Sequence, residues 1–216
     1  MQLDSATMLA RLITDYPDRY HELHTFNFFL IDYWHPEWAK RLWPQGFNAD
    51  IKDRHSRAWL ATFILRQLNL DTQFCFNESA PGMIIALQDT KQLQQRFIPL
   101  LGALRCGQQI CQAVSRQEVY AWRQSLGETL HAFVLRRAPL LPELLPLEKP
   151  EHIRFEADAL RPWIFFQGEH WLRQASFELS GAIGGRLRLK LTPVDTPHHE
   201  QTPDWALIER ISEEIG

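Results

Sequence analysis

The chain has 216 residues, of which 45% are hydrophobic and 23% are charged, with a formal net charge of -3. This composition is typical of a globular protein and excludes a long disordered chain. The mildly acidic balance supplies no basic surface for nucleic acid or anionic lipid. The longest apolar runs are far shorter than the roughly 20 residues that a membrane-spanning helix requires.

Two further features indicate the compartment. The first residues, MQLDSATML, lack the basic and apolar regions of a signal peptide, and the three cysteines form no paired framework. We therefore expect a cytoplasmic protein that does not insert into a membrane and binds no nucleic acid.

Helical periodicity dominates the first 137 residues. Pro17 should stop a first amphipathic helix, and Pro36 suits the first position of a helix over PEWAKRLW. A longer helix should open at Asn48 or Asp50. Leu93 to Leu104 continue the helical pattern with a break at Pro99, and Ser115 with Glu118 forms a capping box for the next helix.

The composition changes at residues 138–150, which hold four prolines. We take this segment as a linker between a helical region at 1–137 and a smaller helical region at 151–216, which can also pack on the first as one domain. Within GGRLRLKLTP, Leu187, Leu189 and Leu191 alternate with basic residues, and this spacing predicts a strand. The predicted fold is mainly α, a compact helical domain with a short strand or extended segment near the C-terminus.

The spacing of apolar residues in the last segment, 204–216, predicts a short helix with one apolar stripe. Trp205 and Ile208 belong to that stripe. Because a helix of about a dozen residues is marginal alone in water, the stripe must pack on something. It either contacts a partner or folds back on the core of its own chain.

The motifs that could carry chemistry are weak. His21 and His24 lack the spacing of a zinc helix, and Cys106 and Cys111 are five residues apart with no second pair. The GAIGG stretch matches no nucleotide-binding loop, and no activated nucleophile is recognisable. We therefore expect no catalytic residue, no cofactor and no metal, and a protein that is not an enzyme.

Residues 26–38, FNFFLIDYWHPEW, are dense in aromatic rings. His35 precedes a proline, so it should be extended, and its ring should donate a hydrogen bond to a carbonyl that pins the turn. Most of these rings should lie in the core. Trp34 and Trp38 remain candidate partner contacts, because tryptophan is enriched at interface hot spots.

The same stretch resembles the N-terminal signature of SctK-type proteins, the Yop translocation protein K family of bacterial type III secretion systems. The positions that carry the resemblance are Phe28, Tyr33, His35 and Pro36. LNLDTQF at 68–74, LLGALRCG and GRLRLKLTP are similar to later segments of the family, in the same order. Family members often have a proline where this chain has Leu30.

The resemblance implies a non-enzymatic adaptor of the cytoplasmic sorting platform of an injectisome. Such proteins link the cytoplasmic domain of the SctD-type inner-membrane ring protein to the SctQ-type platform subunit, which carries the ATPase complex. This places the chain in the cytoplasm, peripheral to the inner membrane at the secretion apparatus. The alternative is a cytosolic chaperone-like protein for secreted effectors, although such proteins are expected to be smaller and more acidic.

Overall fold

The computed structural model describes residues 5–43, 51–77, 79–141, 156–194 and 205–213, with side chains from residue 9 onward. The fold is mainly α, as predicted, and the described residues contain no strand. None of the described helices has the length and apolar character needed to cross a membrane. The α-helices are α1 (Ser5–Asp15), α2 (Pro17–Phe28), α3 (Pro36–Leu42), α4 (Arg54–Gln67), α5 (Met83–Leu87), α6 (Thr90–Gln92), α7 (Ile98–Arg105), α8 (Gly107–Gln112), α9 (Arg116–Arg137), α10 (Ala157–Ala175), α11 (Gly181–Arg188) and α12 (Trp205–Glu213).

The chain divides into two compact units. Unit 1 consists of Met1–Thr90, Ala175–Glu200 and Trp205–Gly216, and unit 2 consists of Lys91–Gln174 with Gln201–Asp204. The division that we expected at the proline-rich linker, residues 138–150, stays a prediction. Most of that linker, from residue 142 to 150, lies outside the described residues.

Local capping sets several helix starts. Pro17 and Pro36 each occupy the first turn of a helix, where the missing N–H costs nothing. Ser115 and Glu118 form the predicted capping box at the start of α9. The cap of α4 is Asp53, whose carboxylate accepts a hydrogen bond from the Ser56 N–H at 2.7 Å. The helix therefore begins later than we predicted, and Asn48 and Asp50 lie outside the described residues.

The core of unit 1 draws on residues from both ends of the sequence. Five of the helices contribute aliphatic or aromatic side chains that are almost fully buried, so the hydrophobic effect holds together segments that are far apart in the chain. The main contributors are Leu23 and Phe26 from α2, Leu60 and Ile64 from α4, Met83 and Ile85 from α5, Ile183 and Leu187 from α11, and Ile208 and Ile211 from α12.

Unit 2 contains a close helix crossing made by two glycines. A Cβ on Gly102 would lie 1.8 Å from the Ile164 carbonyl oxygen, and one on Gly168 would lie 1.9 Å from the Ile98 carbonyl oxygen. No side chain fits at either position, so α7 and α10 cross with their backbones in contact.

Two helix irregularities occur in unit 2. We expected a kink or break at Pro99, but helix α7 continues through Pro99, and the irregularity is a π-helical segment (Leu93–Phe97) just before it. Helix α9 is interrupted at Gly127, which has φ 75° and ψ 163°.

The predicted strand at GGRLRLKLTP is wrong. Gly181–Arg188 form helix α11, and the chain then turns through Leu189 and Lys190. Alternation predicts a strand only where one face is buried and the other meets water. Here Leu187, Leu189 and Leu191 are buried, but so are Arg186 and Lys190. The polar residues therefore mark no exposed face.

Candidate functional site

The segments singled out in the sequence meet within unit 1. The backbone N–H of His35 donates to the Leu189 carbonyl at 2.7 Å, and the indole N–H of Trp38 donates to the Leu191 carbonyl at 3.0 Å. These two bonds join the aromatic stretch at 26–38 to the segment after α11. We call the group formed by Phe26, Tyr33, His35, Arg186 and Lys190 the motif cluster.

His35 holds the turn before α3. Its backbone is extended, as expected for a residue before proline. We predicted that its ring donates to a carbonyl, but the bond that caps α3 is one that the ring accepts: Nδ1 receives the Glu37 N–H at 3.2 Å. His35 is therefore the N-cap of the helix that Pro36 begins.

Tyr33 is buried, and its hydroxyl is used inside the protein. The hydroxyl donates to the Phe26 carbonyl at 2.6 Å, and the two rings stack with centroids 5.8 Å apart. Burial raises the pKa of Tyr33 well above its ordinary value, so the phenol stays neutral. Thr90 Oγ1 donates to the Tyr33 carbonyl. Tyr33 is thus a structural residue of unit 1.

Lys190 lies in the motif cluster with 2% of its surface exposed. Its Nζ donates to the Gln88 carbonyl at 2.6 Å and lies 4.7 Å from the centroid of the Tyr33 ring. Burial lowers the pKa of Lys190 to about 7, and the carboxylate of Asp89 opposes this shift. The ammonium therefore loses its proton far more readily than that of an exposed lysine.

Arg186 is the second buried cation of the cluster. It donates to the Ala182 carbonyl at 2.8 Å and to the Asp71 carbonyl at 3.3 Å, and its guanidinium lies 6.0 Å from the Phe26 ring. Burial lowers its pKa, which Tyr33 and Asp71 partly restore. Because Asp71 belongs to LNLDTQF, this contact brings the Leu68–Phe74 motif against α11. Three of the four segments that carry the resemblance meet here.

The cysteines and carboxylates show what chemistry the described residues can support. No group of three or more His, Cys, Asp or Glu side chains in the described ranges is arranged to bind a metal ion. Cys106 is buried, and burial raises the pKa of its thiol. Because only the thiolate is a strong nucleophile or metal ligand, Cys106 packs as a small apolar side chain.

An aromatic surface lies along one side of α2. Tyr20, His24 and Phe28 follow one another at intervals of four residues, so they share a face of the helix. Phe74 and Phe76 from the irregular segment after α4 pack on this face. We call these five residues the aromatic stripe. The ring centroids lie 5.6 Å apart for Tyr20–His24, 4.7 Å for His24–Phe28, 4.4 Å for Phe28–Phe74 and 6.5 Å for Tyr20–Phe76.

Asn27 fixes the two phenylalanines of the irregular segment. Its side-chain Nδ2 donates to the Cys75 carbonyl at 2.9 Å, and its Oδ1 accepts the Cys75 N–H at the same distance. The amide thus pairs with one backbone residue as a neighbouring strand would. Phe74 and Phe76 flank Cys75, so they are held against α2 by this pair of bonds. Our sequence analysis included Asn27 and Phe74 only as members of longer segments, and it predicted no contact between those segments.

The stripe is apolar and partly open to solvent. Phe74 is 53% exposed, and the other four rings are half-buried. Burial, followed by the positive charges of Arg54 and His21, lowers the pKa of His24, so its ring is neutral at physiological pH. Neutral aromatic rings with accessible faces are the residues on which interface hot spots are built.

The other candidate contacts lie elsewhere. Trp34 is buried and Trp38 is half-buried beside the motif cluster. Trp205 and Ile208 are buried in unit 1, and the backbone N–H of Trp205 donates to the Glu178 carboxylate at 3.2 Å. Of the two alternatives for this segment, the structure shows the one in which helix α12 packs on the core of its own chain. Of the candidate residues that we predicted from the sequence, only Phe28 belongs to the aromatic stripe.

One of three comparisons with known proteins gives a match. A family model described as YOP proteins translocation protein K (YscK) matches residues 20–211. No curated protein and no solved structure gives a significant match. The matched range includes both the motif cluster and the aromatic stripe.

Proposed function

Because the chain belongs to the family of YOP proteins translocation protein K, it is a type III secretion protein, and we propose that it acts there as a non-enzymatic adaptor. In this role it links the cytoplasmic domain of the SctD-type inner-membrane ring protein to the SctQ-type platform subunit. Through that subunit it connects to the ATPase complex of the sorting platform. It works in the cytoplasm, peripheral to the inner membrane.

The observation that supports an adaptor is the aromatic stripe. An adaptor needs a preformed surface with apolar area to bury, since protein interfaces gain most of their affinity from a few aromatic anchors. The stripe supplies such anchors on a rigid helix, and Asn27 holds Phe74 in place before any partner arrives. Preformed contacts of this kind lower the entropy cost of association.

The buried motif cluster supports the same proposal in a different way. Tyr33 and His35 use their polar atoms on the backbone of unit 1. They therefore stabilise the body that carries the stripe. The Yop translocation protein K signature thus preserves the shape of unit 1, and the stripe makes the contact with one of the two partners.

Binding assays with the two purified partners test the proposal. The full chain should bind both the cytoplasmic domain of the ring protein and the platform subunit. Phe74→Ala should weaken binding to one of them by at least about tenfold and leave the other unchanged. Phe177→Ala is a matched control, because Phe177 is an equally exposed ring of unit 1 (49%) outside the stripe.

Two outcomes would contradict the proposal. If the wild-type chain binds neither partner but captures secreted effectors, the protein is a chaperone. If it binds both partners and Phe74→Ala behaves like Phe177→Ala, the stripe is not the contact surface.

A further inference from the structure

A pocket of about 310 Å³ opens on unit 1 between α5 and α12. Ala80, Ile84 and Ile85 form its apolar wall. Ile84 is 55% exposed, whereas its neighbours Met83 and Ile85 are fully buried. Helix α5 therefore places one large aliphatic side chain at the pocket, where it is open to an incoming group.

Two carboxylates line the same pocket. Glu209 is fixed there, because its Oε1 accepts the Gly82 N–H at 2.6 Å. Gly82 has φ +78°, and a Cβ on it would lie 2.6 Å from Leu179 and 2.8 Å from Trp205. The turn that holds Glu209 is thus specific for glycine. The described residues that line the pocket include no lysine, arginine or histidine.

Glu213 is the second carboxylate. It is exposed and lies on α12 four residues after Glu209, so the two carboxylates share one face of the helix. Its charge adds negative potential to the pocket.

A serine hydroxyl also lines the pocket. Ser212 is 9% exposed as a whole residue. A hydroxyl on the pocket wall can accept a hydrogen bond from an incoming group or donate one to it.

We propose that this pocket binds an arginine side chain that a partner protein presents next to an apolar residue. The aliphatic stem of the arginine and the apolar neighbour pack on Ile84. The guanidinium, with five N–H donors, lies between the carboxylates of Glu209 and Glu213 and donates to the Ser212 hydroxyl. Charge complementarity selects a cation, and the three separated acceptors favour the planar fork of arginine over the single ammonium of lysine.

A peptide titration followed by NMR tests this site on the full chain and does not depend on the adaptor role. The probe is the tripeptide acetyl-Leu-Arg-Leu-amide. The control replaces arginine by citrulline, which has a similar shape but no charge. We expect saturable amide shifts confined to residues 79–85 and 209–213, with the citrulline peptide binding about tenfold more weakly.

Glu213→Gln provides the matched variant. The substitution is isosteric and changes an exposed side chain, so the fold should be unaffected. The arginine peptide should bind this variant about tenfold more weakly than it binds the wild type. Glu128→Gln changes an exposed glutamate of unit 2 and should bind like the wild type. Equal affinity for the two peptides, shifts outside the pocket, or an unchanged Glu213→Gln would overturn the proposal. Shifts at the pocket that arise on concentrating the protein alone would also overturn it, since a second copy would then be the occupant.

Discussion

Replacing Lys190 by methionine should remove a pH dependence of stability near neutral pH. Burial lowers the pKa of Lys190 to about 7 in the folded protein, against an ordinary value of 10.5. Between these two values the unfolded chain binds more protons than the folded chain. The free energy of unfolding of the wild type therefore rises with pH across this window, and below pH 7 the cost of burying the charge is present in full.

The size of the effect follows from the two pKa values. Between pH 7 and 8.5 the lysine contribution to the free energy of unfolding should increase by about 1.5 kcal/mol. Burial raises the pKa of Cys106 and of Tyr33, so these groups act with the opposite sign and lose their contributions at higher pH. The range is limited to pH 8.5 for this reason, and both groups are shared by the wild type and the variant.

Urea unfolding of the two proteins at several pH values from 7 to 8.5 measures the difference. With an m-value of about 2 kcal/mol/M, the midpoint of the wild type should rise by roughly 0.7 M relative to that of Lys190→Met. The variant also loses the bond to the Gln88 carbonyl, but this loss does not vary with pH. The slope is therefore the informative quantity.

Lys52→Met is the control, because Lys52 is exposed in the same unit, and its pH dependence should follow that of the wild type. Parallel slopes in the wild type and Lys190→Met would refute the reasoning. They would mean that the Tyr33 ring and the Gln88 carbonyl stabilise the ammonium well enough to keep it protonated throughout this range.

Three further predictions concern stability. Gly102→Ala should cost roughly 3 kcal/mol or more, because its Cβ would meet the Ile164 carbonyl. Gly127→Ala, in open space but at φ 75° and ψ 163°, should cost less, roughly 1–2 kcal/mol from backbone strain alone; a melting temperature of Gly102→Ala no lower than that of Gly127→Ala would argue against the close crossing. His35→Ala should lower the free energy of unfolding by about 1 kcal/mol. In a denaturant titration His35→Asn, which can still cap the helix, should recover most of this loss. If it does not, the ring matters for packing and not for the cap. Deleting residues 204–216 should unfold unit 1 as seen by circular dichroism, since Trp205 is buried there; an unchanged melting temperature would favour a separable helix that serves a partner.

Much of the fold could be predicted because the relevant signals are local. Pro36 fixes a helix start through its own ring, and Ser115 with Glu118 caps a helix within four residues. The strand prediction failed because it assumed that basic residues face water. Arg186 and Lys190 are instead buried and use backbone carbonyls as acceptors, which a period-two pattern does not reveal.

The candidate site was predictable only in part. The spacing of Tyr20, His24 and Phe28 along α2 contains three of the five residues of the aromatic stripe and could have been found from the sequence. The other two depend on the pairing of Asn27 with Cys75, which lies 48 residues away. No local sequence pattern predicts such a bond, because it forms only when the segment after α4 packs against α2.

The bond between the Trp38 indole and the Leu191 carbonyl has a consequence for synthesis of the protein, since it joins residues 153 positions apart. At 5–20 residues per second, a ribosome takes roughly 8–30 s to make the chain between them. During that time the helices of Lys91–Gln174 leave the ribosome as one continuous stretch and can fold. The bonds that His35 and Trp38 make to Leu189 and Leu191 can form only after that interval. We therefore expect unit 1 to stay incompletely folded on the nascent chain until residues 181–191 have left the ribosome.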